Sequence, residues 1–151
     1  MTVLDRLLSK LRNDEVVSDD RRTVALAAGA LLLEVAWADH EIADSELEMV
    51  RNAVQQQTGL SDDEVQEVVE QARRHQAESV GVFAFTRTIN EAWQEPQKFE
   101  LVEALWRLAL SDAALHRYEE HVIRRIAELL YVSHTRFIEA KLNAARDAAA
   151  R

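Results

Sequence analysis

Residues 24–38 decide the fold: they read VALAAGALLLEVAWA, a stretch that is apolar on nearly every side of a helix. The uninterrupted apolar run from Val24 to Leu33 is ten residues long and ends at Glu34. A transmembrane helix needs about 20 predominantly apolar residues, so this run is too short to span a bilayer. The sequence therefore predicts a central, buried helix over residues 19–38, around which the rest of the chain packs.

The segments on both sides of this helix also repeat their apolar residues at helical spacing. No segment alternates with a period of two for long, and the chain has only three Gly and one Pro, too few for an all-β protein with many tight turns. We therefore expect an all-α protein of about seven or eight helices. Besides residues 19–38, the expected helices cover 2–12, a segment that follows a break at Asp39–Asp44 and stops at Gly59, one opened by Ser61, one from Ser79 to Trp93, one from Pro96 to about Ser111, and two over 117–130 and 134–148.

Several residues indicate where these helices begin and end. Gly59 suits the left-handed position after a helix, and Ser61 with Glu64 forms a capping box for the next one. Pro96 suits a first helical position, and Ser133 suits the N-cap of the last helix. We expect the large aromatic side chains, which fall at apolar helical positions, to lie in the core. They are Trp37, Phe83, Phe85, Trp93, Phe99, Trp106 and Phe137.

Charge and composition narrow the class of protein. The 151 residues include 27 acidic and 18 basic side chains, a formal net charge of −9 at pH 7, which argues against nucleic-acid binding. The absence of Cys excludes thiolate metal sites and is typical of a reducing compartment. Asp5 and Arg6 interrupt any secretory signal at the start. We expect a cytoplasmic protein with no stable membrane insertion, no nucleic-acid partner and an unidentified protein partner.

An internal repeat is the most informative feature of the chain. Residues 32–50 match residues 105–123 at the constant offset that separates Asp39 from Asp112, and after a deletion of one residue Ser61 meets Ser133. The sequence thus predicts one domain over residues 1–151, built from two similar helical halves at roughly 19–77 and 96–148, with an N-terminal amphipathic helix in 1–12. The matched pairs include Leu32 with Leu105, Ala36 with Ala109, Asp39 with Asp112, Ile42 with Leu115, and Glu46 with Glu119.

The sequence resembles the tellurite-resistance TerB family at residues 34–46, which read EVAWADHEIADSE. The second copy of the repeat, in residues 108–119, resembles it more weakly. The family's signature is Ala-x-Ala-Asp-Gly-x-Ile followed four residues later by Glu, in a duplicated all-helical domain. The resemblance implies a non-enzymatic module of the tellurite and general stress response that binds divalent metal through these acids. His40 and Ala113 stand where the family has Gly, so a turn that needs a positive φ must differ here or carry strain.

The paired acids allow two interpretations. Asp39 and Asp112 fall at expected helix C-termini, where an acid costs about 0.3–1 kcal/mol unless it is compensated. In the first interpretation these two residues join Glu46 and Glu119 in a site for calcium or magnesium. In the second, which the local pattern favours, each Asp accepts N–H groups of its loop and each Glu caps its own helix. Both interpretations stay open at this point.

A second repeat-related pair is Glu34 with Arg107, at the same offset as the matched acids. Both interrupt apolar helices, so they form a buried ion pair if the halves meet about a pseudo-twofold axis. Alternatively, each side chain reaches solvent separately.

Signs of catalysis are missing from the sequence. The segment His40-Glu41-Ile42-Ala43-Asp44 has Asp where a zinc-protease helix needs a second His, and no phosphate-binding glycine loop or nucleophile elbow is present. We therefore expect no catalytic residues and no enzyme activity. The alternatives to a cation-binding module are a helical protein-interaction module with purely structural acids and, less favoured, a metal-dependent hydrolase.

Overall fold

The computed structural model describes residues 2–4, 16–37, 42–77, 82–111 and 117–149. Within these ranges the chain forms seven helices of more than ten residues and no strand, which confirms the all-α prediction. Val3 and Leu4 are also helical and Leu4 is buried, whereas the rest of the expected N-terminal helix lies outside the described residues. The helices are α1 (Val16–Ala36), α2 (Asp44–Thr58), α3 (Asp62–Ala77), α4 (Val82–Ala92), α5 (Glu95–Ala109), α6 (Arg117–Leu129) and α7 (His134–Ala149).

Helix α1 lies at the centre of the fold. Every residue from Val24 to Leu33 is buried, and α1 contacts α2, α3, α4, α5 and α6. The last helix, α7, packs mainly against α5. An all-round apolar helix removes the most surface from water when it is surrounded, which explains this position. Among the described helices, none combines the length and the apolarity that crossing a membrane requires.

The helix ends confirm the start and stop signals in the sequence. Gly59 follows α2 with φ 71°, and its N–H donates to the carbonyl of Gln55. Pro96 lies in the first turn of α5. The Ser61 hydroxyl accepts the Glu64 N–H at the start of α3. These signals work because each satisfies or removes a backbone group that a helix end leaves unpaired.

The aromatic core is only partly as expected. Trp106 is fully buried and its ring centroid lies 5.3 Å from that of Phe137, while Phe85 and Phe99 are also buried. Phe83 is 66% exposed, so its predicted core position is wrong.

The reason is helical geometry. Side chains two positions apart on a helix point in directions that differ by about 200°. Phe83 therefore points away from the core, which Phe85 and Ile89 face. Trp37 is 41% exposed and was also wrongly assigned, because it follows the last residue of α1, where the packed part of that helix has ended. Trp93, in the connection after α4, is half-buried.

The helix boundaries follow the sequence repeat. Asp44 opens α2 and Arg117 opens α6, and these two residues are separated along the chain by the same offset as Asp39 and Asp112. The separation between Asp62 and His134, which open α3 and α7, is one residue shorter than that offset, as the single deletion requires. The similarity of the two halves in three dimensions, and the division of the chain at 19–77 and 96–148, stay predictions.

Candidate functional site

Two of the four predicted acids occupy equivalent places in the structure. Glu46 is the third residue of α2 and Glu119 is the third residue of α6, so both lie in the first turn of a helix. Asp39 and Asp112 lie outside the described residues. The structure therefore places half of the predicted carboxylate set, and the convergence of all four stays a prediction.

Glu46 acts as a helix cap. Its Oε1 accepts the backbone N–H of Ala43 at 3.1 Å, and Ala43 has the extended backbone of an N-cap residue, with φ −73° and ψ 155°. The carbonyl of Ala43 accepts the N–H of Leu47 at 3.0 Å, which starts the helix. A carboxylate here satisfies an otherwise unpaired N–H and lies near the positive end of the helix dipole. For Glu46, this is the local interpretation made from the sequence.

Glu119 is the more unusual of the two acids. It is only 9% exposed, and it is the one charged side chain classed with the buried residues of the described part of the chain. Its neighbour Glu120 instead reaches α7, where its Oε1 lies 3.6 Å from Lys141 Nζ. A buried carboxylate is stable only when donors or cations surround it, so the start of α6 is a polar point beside the apolar core.

The described residues alone do not form a metal centre. Within the ranges given above, no three His, Asp or Glu side chains come together as metal ligands would. A cation site that joins Glu46 and Glu119 to further acidic ligands therefore needs carboxylates outside the described residues, such as those of Asp39 and Asp112.

Arg107 lies near two acidic residues, one on α5 and one on α7. Its Nε lies 3.1 Å from Asp147 Oδ2 and its Nη2 lies 4.0 Å from Glu103 Oε2, and no ion pair joins it to Glu34 in the part of the chain that the structure describes. Asn143 Nδ2 donates to the same Glu103 carboxylate at 2.9 Å. Arg107 and Glu103 thus link α5 to α7. Glu34 is half-buried on α1.

Sequence reasoning missed a groove between α2 and α5. It consists of two adjoining cavities of about 210 and 320 Å³, and Gln57 Nε2 bridges the helices near one end by donating to the carbonyl of Gln97 at 3.1 Å. The small residues Ala53 and Ala104 line both cavities and were the signal for it, since they leave space between two helices. The side chains that give it a polar rim are Asn52, Gln56, Gln57, Glu100, Glu103 and Arg107.

The groups whose pKa values are shifted lie in the first turns of other helices, α3 and α7. Hydrogen bonds from the backbone N–H and then the hydroxyl of Ser61 hold the pKa of Glu64 below its usual value. Hydrogen bonds to Glu95 and then Glu139 raise the pKa of Arg136. Both arrangements stabilise the charged form of a side chain in the first turn of a helix.

Comparison with known proteins gives one family. The family model described as tellurite resistance protein TerB matches residues 25–142, which is well over half of the chain. The matched range extends from α1 into α7 and includes all four predicted acids. No curated protein and no solved structure gives a significant match.

Proposed function

Because this chain belongs to the TerB family, we propose that it is a non-enzymatic module of the tellurite and stress response that binds calcium or magnesium in the cytoplasm. The proposed ligands are Asp39, Glu46, Asp112 and Glu119. The observation that carries the proposal is the burial of Glu119, which lies in the helix that follows Asp112 in the chain.

Electrostatics explains why a cation fits this proposal. Removing a carboxylate from water costs several kcal/mol unless donors or cations surround it. If acids of the two repeats converge to about 4 Å, each pair repels by about 4 kcal/mol at an effective dielectric constant near 20. A bound cation turns that repulsion into attraction, and calcium accepts six to eight oxygen ligands. Four carboxylates with loop carbonyls and water supply that number.

Titration with calcium and with magnesium, followed by thermal melting, tests the proposal. A ligand that binds only the folded state at about 100 times its Kd adds about 2.7 kcal/mol to the free energy of unfolding. We expect this shift in the parent protein and its loss in Glu119→Gln and Asp112→Asn. The matched control is Glu128→Gln, which removes the same charge from an exposed position on the same helix as Glu119.

The hydrogen bond between Glu46 and Ala43 favours a second candidate, a helical protein-interaction module whose acids are purely structural. In that case millimolar calcium or magnesium leaves the melting temperature unchanged. Glu46→Ala still destabilises the protein, because the Ala43 N–H loses its acceptor. That pair of results would overturn the cation proposal.

A further inference from the structure

An apolar stripe runs along the solvent side of α7. Ile138 and Leu142 are 36% and 55% exposed, although they lie on the same helix as the buried residues Phe137, Ala140 and Ala144. Ala145 and Ala149 are also exposed. Successive spacings of four, three and four residues place the members on one face, as in the seam of a coiled coil. The α7 stripe consists of Ile138, Leu142, Ala145 and Ala149.

Opposite charges flank one edge of the stripe. Glu139 and Arg146 each follow a stripe residue, Ile138 and Ala145, by one position, so they lie along the same edge. Arg146 Nη2 donates to its neighbour Asn143 at 3.2 Å, and within the described residues no carboxylate lies within 4.0 Å of its guanidinium. Glu139 Oε2 already lies 2.7 Å from Arg136 Nη1 of the same helix, so the acid and the base that this edge offers to a partner are the second carboxylate oxygen of Glu139 and the guanidinium of Arg146.

The other edge of the stripe faces the protein itself. Lys141 Nζ lies 5.1 Å from the centroid of the Trp106 ring and 3.6 Å from Glu120 Oε1. Its charge is therefore already matched within its own chain, and it does not oppose the approach of a second positively charged helix.

We propose that α7 pairs antiparallel with α7 of a second copy of this chain across a twofold axis. In this register Ile138 faces Ala149 of the other copy, and Leu142 faces Ala145. Glu139 then lies opposite Arg146 of the other copy, and the symmetry forms that ion pair twice. Each contact joins a large side chain to a small one, so the two helices approach closely along the whole stripe.

A parallel pair fits the same residues less well. It places Ile138 and Leu142 against their own copies and the alanines against each other, so the large layers hold the small layers apart. Glu139 and Arg146 then no longer face each other, because residues at this heptad position meet only in antiparallel pairs. The charges and the side-chain sizes therefore both select the antiparallel arrangement.

The seam is short, which sets the strength of the association. From Ile138 to Ala149 the seam runs about 18 Å along one helix of each copy, which makes the interface smaller than those of obligate dimers. We expect a reversible monomer–dimer equilibrium that is weaker than the association of obligate dimers. Sedimentation equilibrium over a range of protein concentrations measures it.

Leu142→Glu tests the apolar part of the seam. Because Leu142 is exposed, the substitution leaves the monomer folded, which circular dichroism checks, and we expect it to weaken dimerisation at least tenfold. Phe83→Glu is the matched control, since it removes an exposed apolar side chain from α4 and leaves the dimer intact. A parent protein that stays monomeric up to millimolar concentration, or a Leu142→Glu variant that dimerises like the parent, would overturn the proposal.

Charge reversal tests the antiparallel register. Glu139→Arg and Arg146→Glu each place like charges opposite one another, so each variant alone dimerises at least tenfold more weakly. An equimolar mixture of the two restores opposite charges at both positions and forms a heterodimer with the affinity of the parent. Arg125→Glu, an exposed position on α6, controls for the change in net charge. Failure of the mixture to recover dimerisation contradicts the antiparallel arrangement.

Discussion

The connections α2–α3 and α6–α7 occupy equivalent positions of the repeat but are stabilised differently. Gly59 has φ 71° in the first and Tyr131 has φ 59° in the second, so both connections contain a left-handed residue just after a helix. Gly adopts this conformation without steric cost, whereas Tyr does not. Tyr131 is 83% exposed, so its ring gains little from burial in return.

The helix starts that follow also differ. In the first connection Ser61 and Glu64 bond to each other in both directions: the Ser61 hydroxyl accepts the Glu64 N–H at 3.3 Å, and Glu64 Oε1 accepts the Ser61 N–H at 3.3 Å. In the second, Ser133 accepts the N–H of Arg136 at 3.2 Å, but a guanidinium cannot accept a bond in return.

Arg136 stabilises the second connection through distant parts of the chain instead. Its Nε donates to Glu95 of α5 at 2.8 Å, and its guanidinium carbon lies 3.6 Å from the centroid of the Phe99 ring. It also pairs with Glu139 of its own helix at 2.7 Å. The helix cap of the first connection is thus closed by hydrogen bonds between its own two residues, with Arg22 of α1 3.9 Å from Glu64 Oε2, whereas the second connection relies on hydrogen bonding to α5.

The largest difference should come from the buried residue of each connection. Leu60 and Val132 are 3% and 7% exposed. We expect Leu60→Ala to cost about 2–5 kcal/mol, and Val132→Ala about 2 kcal/mol because fewer methyl groups are lost. Urea denaturation measures both, with Phe83→Ala as an exposed control that changes stability by less than about 0.5 kcal/mol. Equal losses below 1 kcal/mol would contradict the burial of these two side chains.

The left-handed residues should show the next largest effect. An added Cβ at Gly59 meets only Arg21 Nη1, at 3.9 Å, so Gly59→Ala introduces backbone strain without a clash. We expect a loss of about 1–2 kcal/mol. At position 131, Tyr131→Gly should be more stable than Tyr131→Ala by a similar amount, since both variants lose the contact of the ring with Lys98, 5.9 Å away. Equal stability of these two variants would show that residue 131 does not hold a left-handed conformation.

The features that the sequence predicted are those that depend on residues close together in the chain. The central helix, Gly59, the Ser61 cap and the first-turn position of Glu46 all follow from spacing along one or two helical turns. The ion pairs of Arg136 with Glu95 and of Arg107 with Asp147 join residues about 40 positions apart, and only the packing of helices brings them together.

At the candidate site, too, the sequence predicted the local features and missed those that depend on helix packing. The repeat located Glu46 and Glu119 at equivalent helix starts, because an offset between copies preserves position along a helix. It did not distinguish the cap formed by Glu46 from the burial of Glu119, since burial depends on which helices cover each start.

The smallest expected effect is a pH dependence confined to the first connection. The Ser61 N–H and then its hydroxyl lower the pKa of Glu64 below its ordinary value of 4.5, and the charges of Arg22 and Arg21 act in the same direction. A lowered pKa means that the folded state favours the charged carboxylate. The resulting stability is fully present above pH 4.5 and is lost as the pH falls through the lowered pKa.

Glu64→Gln removes this titration, so the parent should be more stable than the variant at neutral pH, and the difference should shrink in acid. Ser133→Ala provides the comparison in the second connection. It removes the acceptor of the Arg136 N–H, a bond between two groups that do not titrate in this range, so its cost should not follow the Glu64 titration. Urea denaturation between pH 3 and pH 7 measures both differences. If the cost of Glu64→Gln were constant over that range, the charge of Glu64 would not contribute to the cap, and the two connections would differ only in their left-handed residues and in the contacts of Arg136.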